Sequence, residues 1–350
     1  MFGLIRIMAL LLLVFSPAQL IAKPFELNIM TGGPKGTYIQ IGKNLATLGA
    51  ECGRPLNVVE SAGSLENLVG VRSKPHTQFG IVQSDVLDYL KAFQAGDKEL
   101  QKSLWGMRIM FPLYNEEIHV LARRDIQSLA DLSGRRVAIG KKDSGTFLTA
   151  SLIMDIGRVQ NVDRLAVGAS DALPKLLNGE IDAMFYVTGA PAKLFSETQI
   201  DSAQFHLLPL VEPALQASYI PTVIKAGTYP FVTEPVNVVA VKAVLMTYEY
   251  NPRQNNYLRQ SCKAVSDFSN LLVTNLDRLR REGHPKWNNV DLSAIPPGWK
   301  VGKCVKTGLS LNYKFQCKRP LAAKTAGSPA NALDNEYLNL LKKRLRNKLN

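Results

Sequence analysis

Leu27-Asn-Ile-Met-Thr-Gly-Gly-Pro-Lys-Gly-Thr-Tyr38 decides the fold class of this chain. A short apolar run, Leu27 to Met30, ends in a loop of Thr, Gly and Pro, and an amphipathic helix then runs to Leu48. The same phrase returns at Leu56–Val59 with Ser61-Ala-Gly-Ser64, and at Phe79–Val82 with Gln83-Ser84-Asp85, each leading into a helix. A second set follows. Arg136–Ile139 leads through Lys141-Lys-Asp-Ser-Gly-Thr146 to a helix ending near Ile156, and Leu165–Val167 through Gly168-Ala-Ser-Asp171 to one ending at Leu177. Ile181–Val187 leads through Thr188-Gly-Ala-Pro191 to a third, with Pro191 expected at its first position. Short β-branched runs alternating with helices specify βα units on a largely parallel sheet, here written twice.

Between the two sets, Glu117–Ala122 and Val236–Val241 read as extended crossings, so residues 119–232 form one lobe inserted into another. The expected fold is α/β, two-lobed like a periplasmic binding protein, with two interlobe crossings and a ligand cleft. Lobe 1 is 23–118 plus 233–317, lobe 2 is 119–232, and 318–350 is a linker with a basic amphipathic tail. Lobe 1 also carries a helical region over 254–283, a Pro- and Trp-rich loop over 285–302, and a hairpin over Cys304–Cys317, where Leu309, Leu311, Tyr313 and Phe315 alternate with polar neighbours. A chain of 350 residues is long enough for about two such units.

Composition narrows the compartment and the partners. With 46% hydrophobic residues and a mean hydropathy of −0.03, the chain is globular, and its long apolar run lies at the extreme N-terminus. Arg6, the Met8–Phe15 core and small residues at Ser16-Pro-Ala18 or Leu20-Ile-Ala22 read as an export signal over 1–22. The 42 Lys and Arg against 29 Asp and Glu give +13, but the last 33 residues hold eight of the basic residues and two of the acidic ones. Leu338, Leu341, Leu345 and Leu349 share one face there, so the tail either packs on itself or makes a membrane-surface contact. No zinc-finger spacing or aromatic-laced basic sheet supports nucleic-acid binding. In an oxidising compartment, Cys52, Cys262, Cys304 and Cys317 allow three pairings of two disulfides. Short-loop closure favours Cys304–Cys317, with Cys52–Cys262 as the second.

Ligands of parallel α/β sheets bind beyond the carboxyl ends of the strands. The loops there are rich in Gly, Ser and Thr, and helix N-termini with free N–H groups favour an anion. Gly140–Thr146 carries Thr where a nucleotide-binding loop needs Lys, so ATP is disfavoured. His76, His119, His206 and His284 lack metal-ligand spacing, and there is no G-x-S-x-G or H-E-x-x-H motif. Glu116 and Glu117, close to His119, are adjacent strand residues that point to opposite faces and so make a poor acid/base pair. Neither an enzyme nor a cofactor is expected.

In order along residues 25 to 250, Thr31–Tyr38, Ser61–Asn67, Val82–Asp85, Asp143–Thr146, Thr188–Pro191 and Ala226–Pro230 resemble TAXI proteins, the solute receptors of one class of TRAP transporters. The resemblance implies a two-lobed periplasmic receptor that closes on a small carboxylate such as glutamate or 2-oxoglutarate. It would hand this anionic solute to ion-driven TRAP-type permease subunits. The alternative reading is a sensor receptor docking on a membrane signalling protein. Carried onto this chain, the implied ligand contacts are Thr37, Tyr38, Ser64, Asn67, Gln83, Ser84, Ser144, Thr146, Gly189 and Tyr229. Ile39 replaces the second of two tyrosines usual in the first loop, and Lys35 stands where Gly is more frequent. Beyond Gly283 the resemblance fades, and the Trp-rich loop, late cysteines and basic tail read as additions.

Overall fold

The computed structural model describes residues 25–34, 36–313, 315, 317 and 342–343. The export signal, Lys35 and nearly all of the linker and tail lie outside these residues. In chain order, Asn28–Met30 (β1) feeds Thr37–Glu51 (α1), and Asn57–Val59 (β2) feeds Ser64–Ser73 (α2). Thr77–Gln83 (β3) feeds Val86–Phe93 (α3) and Lys98–Leu104 (α4). A 17-residue strand, Met107–Arg123 (β4), then leaves the first lobe.

In the second lobe Arg136–Ala138 (β5) feeds Gly145–Ile156 (α5), Asp163–Leu165 (β6) feeds Ala169–Leu177 (α6), and Ala183–Thr188 (β7) feeds Lys193–Ser196 (α7). Ala192 caps α7, so Pro191 lies just outside the helix and not at its first position. Phe205–Leu207 (β8), Pro213–Ser218 (α8) and Ile220–Ile224 (β9) lead to the return crossing, Val236–Tyr248 (β10).

One sheet runs through both lobes in the order β2-β1-β3-β10-β4-β7-β5-β6. The outer pairs are parallel, as βα units require. The two crossings are antiparallel to each other and to their neighbours β3 and β7. At about 3.3 Å per residue, β4 spans roughly 55 Å and needs no interruption to serve both lobes. Each lobe is covered on both faces. Ile29, Ile41, Phe79, Phe268 and Trp287 belong to one first-lobe core, Ile118, Val137, Ile153 and Leu208 to one second-lobe core. Another core crosses between lobes, with Leu148 and Leu152 of α5 packed among Leu68, Val71, Val86 and Leu90.

The C-terminal part departs from the sequence expectation. The expected helical region divides at Asn275 into Asn256–Thr274 (α9) and Leu276–Glu282 (α10), where Asn275 Nδ2 donates to Leu271 O at 2.8 Å. The expected 304–317 hairpin is instead a helix, Lys303–Gly308 (α11), followed by a turn. Leu309 is buried while Leu311 is 52% exposed, so the apparent alternation reflects a helix end seated on α9.

That seating overturns the expected disulfides. Ser266 Oγ on α9 donates to Cys304 O at 2.7 Å, which aims Cys304 at Cys262, one turn before Ser266. The bonds are Cys262–Cys304 and Cys52–Cys317, the latter joining the end of α1 to the segment beyond α11. Helix packing, not loop length, selects the partners. Peptide mapping without reduction is expected to recover these two pairs, and a Cys304–Cys317 peptide would overturn the α9–α11 packing. Replacing Cys317 by Ser is expected to cost about 2–4 kcal/mol in urea unfolding.

Candidate functional site

A cavity of about 440 Å³ lies between the lobes at the carboxyl ends of the strands. Four helices begin on its wall: α1 after Gly36, α2 after Gly63, α5 after Ser144 and α6 after Gly168. Two come from each lobe. The opening N–H groups of a helix have no intrahelical acceptor, and a side-chain cap usually takes one of them. Here three caps are glycine and make no side-chain bond; Leu65 N of α2 is taken by Asp143 O, and the other opening donors have no side-chain cap. Each terminus stabilises a nearby negative charge by about 0.3–1 kcal/mol. By contrast, a hollow of about 420 Å³ beside Arg123 and Arg124 abuts the carbonyl end of α6 at Asn178 and offers no such set of donors.

Among the residues expected to touch ligand, Thr37, Tyr38, Gln83, Ser144 and Thr146 line this cavity. Tyr38 Oη donates to Glu116 Oε2 at 2.7 Å. Ser144 Oγ accepts from Phe147 N and Thr146 Oγ1 from Val187 N, so both hydroxyls also brace the second-lobe wall. The other five residues lie elsewhere. Ser64 is fully buried and its Oγ accepts from Gln83 N at 3.0 Å. Asn67, also buried, donates to Thr31 O and Ile81 O and accepts from Ser61 Oγ, which ties the first two loops to β3. Ser84 lines a separate hollow with Lys242 and Pro296. Gly189 packs against the Lys286 side chain.

Tyr229 sits inside the second-lobe core, stacked on Phe231. Its hydroxyl accepts from Ala192 N at 2.9 Å and lies 2.8 Å from His119 Nε2. His119 Nδ1 faces Tyr186 O, a pure acceptor, so Nδ1 carries the proton and Nε2 accepts from Tyr229. Burial holds His119 down to about 4, so the ring is neutral and braces the strand behind Tyr186.

Sequence reasoning missed Glu116, Tyr186 and Thr188 on the cavity wall. Strand alternation does separate Glu116 from Glu117: Glu116 enters the cleft, whereas Glu117 accepts from Ala190 N and pairs with Lys286 Nζ at 3.2 Å. Alternation excluded a paired acid and base, and it equally requires one of the two carboxyls to face the cleft.

The lobes touch in this conformation. Leu65 N donates to Asp143 O at 3.2 Å across the gap. Thr149 Oγ1 lies 2.8 Å from Asp85 Oδ2 and 3.0 Å from Gln83 Oε1, and Tyr219 Oη donates to the same Asp85 oxygen. A hydroxyl has one proton, so all three bonds are satisfied together when Asp85 is protonated and donates to Thr149. Burial pushes Asp85 up to about 6, against the hydrogen bonds from Thr149 and Tyr219 that favour its ionised form, so the protonated arrangement prevails only below that pH.

Several solved structures match this chain at low identity. The alkanesulfonate-binding protein SsuA from Xanthomonas axonopodis pv. citri matches at 16% identity and a TM-score of 0.41, covering 93% of this chain and 94% of its own. A periplasmic sulfonate-binding protein SsuA of Methylobacillus flagellatus KT matches at 11% identity and TM-score 0.44, covering 73% and 69%. The substrate-binding protein of an amino acid ABC transporter matches at 13% and 0.40, covering 70% and 97%. The NMT1-like family profile matches residues 29–260, taking in both crossings and all four helix starts, and the chain belongs to that family.

Proposed function

We propose that the chain is a TAXI-type periplasmic receptor that closes its lobes on a small carboxylate, of glutamate or 2-oxoglutarate type, and delivers it to a TRAP-type permease. One observation carries the reading: four helix N-termini, three of them capped by glycine alone, surround one interlobe cavity. Donors from both jaws would engage the solute together, so binding would hold the jaws shut. In this reading residues 23–118 with 233–317 form one jaw and 119–232 the other, and β4 and β10 are the hinge. The 1–22 segment directs export, and the two disulfides accord with an oxidising compartment.

Thermal unfolding tests the proposal. A solute that binds only the folded chain stabilises it by about 2.7 kcal/mol at a hundredfold excess over Kd. Glutamate, 2-oxoglutarate or glutarate is therefore expected to raise Tm by several degrees. A panel of mono- and dicarboxylates that leaves the Tm of well-folded protein unchanged would overturn the carboxylate reading.

A further inference from the structure

Glu116 is out of place in an anion site. Among the described residues it is the one carboxyl lining the cavity, it is 4% exposed, and it lies among donors suited to negative charge. We propose that Glu116 meets the solute as a neutral carboxylic acid that donates a hydrogen bond to it, so that the receptor captures anion and proton together. The proposal rests on the carboxylate reading above and specifies the protonation state of that same site.

The surroundings of the side chain support this state. From α1, Tyr38 Oη donates to Oε2, and Gln83 at the end of β3 is the second hydrogen-bonding neighbour of the carboxyl. From β4 come the Tyr114 ring and the Glu117 carboxylate, from β7 Tyr186, and from the 285–289 turn Lys286. On β10, Val241 faces Glu116 across the ladder, and Lys141 is on the opposite wall of the cavity. Lys286 is the nearby cation, and it is committed to Glu117 at 3.2 Å. Two carboxyls thus share one ammonium, and a bound anion would bring a further negative charge into a water-poor cleft. Burial pushes Glu116 up to about 8, with hydrogen bonding to Tyr38 and Gln83 pulling the other way.

The proton balance is simple. Below pH 8 the free receptor already carries the proton, and capture moves none. Above pH 8 the free receptor holds a carboxylate, and each capture draws one proton from solvent onto Glu116. The apparent Kd then rises about tenfold per pH unit, since each binding event takes up one proton.

Glutarate is a suitable probe because both its carboxyls stay ionised from pH 6.5 to 9.5. Titration calorimetry of the full mature chain, in two buffers of different ionisation enthalpy at each pH, reads affinity and proton uptake together. Wild type is expected to take up no proton at pH 6.5 and close to one at pH 9.5, with Kd weakening more than tenfold over that range. Glu116→Gln, always neutral and still a donor, is expected to take up no proton at pH 9.5 and to show the same Kd at pH 6.5 and pH 9.5. Wild type that binds glutarate with no proton uptake and a flat Kd overturns the role of Glu116 and leaves the carboxylate reading standing. A Glu116→Gln variant with native Tm whose Kd still weakens more than tenfold between pH 6.5 and pH 9.5 overturns it too, by placing the titrating group elsewhere. Wild type that binds neither glutarate nor 2-oxoglutarate at any pH overturns both.

Discussion

Gly63→Val is expected to weaken solute binding by at least about a hundredfold while both lobes stay folded. Gly63 precedes α2 with φ of 131°, a region that residues with a Cβ rarely adopt. A Cβ there would lie 3.1 Å from Gly145 N and 3.2 Å from Ser144 Cα, at the start of α5 in the other lobe. Both neighbours are backbone, so no side-chain rotation relieves the contact, and the larger valyl group must hold the jaws apart. Opening at this point breaks the Leu65 N to Asp143 O bond and draws the α1 and α2 termini away from those of α5 and α6. A site whose donors come half from each jaw then loses its convergence.

Strain alone has a control. Gly53 has φ of 69° with nothing within 4 Å of its would-be Cβ, so Gly53→Ala introduces strained backbone without obstruction and is expected to keep its affinity. Calorimetry reads the affinity and solution scattering reads the separation of the lobes. Unchanged affinity in Gly63→Val would mean that the 63–145 contact is not part of the solute-bound form.

The alternation of β-branched runs and Gly/Ser/Thr loops was legible because local patterning dictates it. β1, β3, β5 and β7 follow the apolar runs, and the helices begin at the quoted loops. The cleft was legible for the same reason, since parallel βα units bring their loops to one end of the sheet. Long-range packing was not. Cys304 is nearer Cys317 in sequence, yet α11 lies along α9 so closely that a Cβ on Gly308 would run into Ser266 O, and only that docking selects Cys262. The Trp-rich loop read as an addition, yet Trp287 is fully buried in the first-lobe core, with Nε1 donating to Asn44 Oδ1 on α1. Asn67 and Tyr229 sit in loop motifs of ligand-site character, but each is turned inward by partners far away in sequence: Thr31 and Ile81 for one, His119 and Ala192 for the other. A motif locates a loop; the direction of its side chains depends on the neighbours it meets.

Lys286→Met is expected to cost about 3–5 kcal/mol in urea unfolding, the range for stranding one member of a buried ion pair. The Lys286 and Glu117 side chains are 8% and 15% exposed, and the pair joins the C-terminal extension to the crossing strand β4. Met fills similar volume, so the loss would report the uncompensated Glu117 charge and not a cavity. Glu117→Gln in the same background removes that charge and keeps an acceptor for Ala190 N. The double variant is therefore expected to recover most of the loss. A single-variant loss below about 1 kcal/mol would show the pair to be solvated like a surface salt bridge. The cycle also reaches the cleft, because Lys286 pulls the Glu116 pKa down while Glu117 raises it. Lys286→Met should then move the pH at which glutarate binding weakens upward from 8, and Glu117→Gln should move it downward. Shifts of opposite sign from two residues that do not line the cavity would tie the proton on Glu116 to the ion pair behind it.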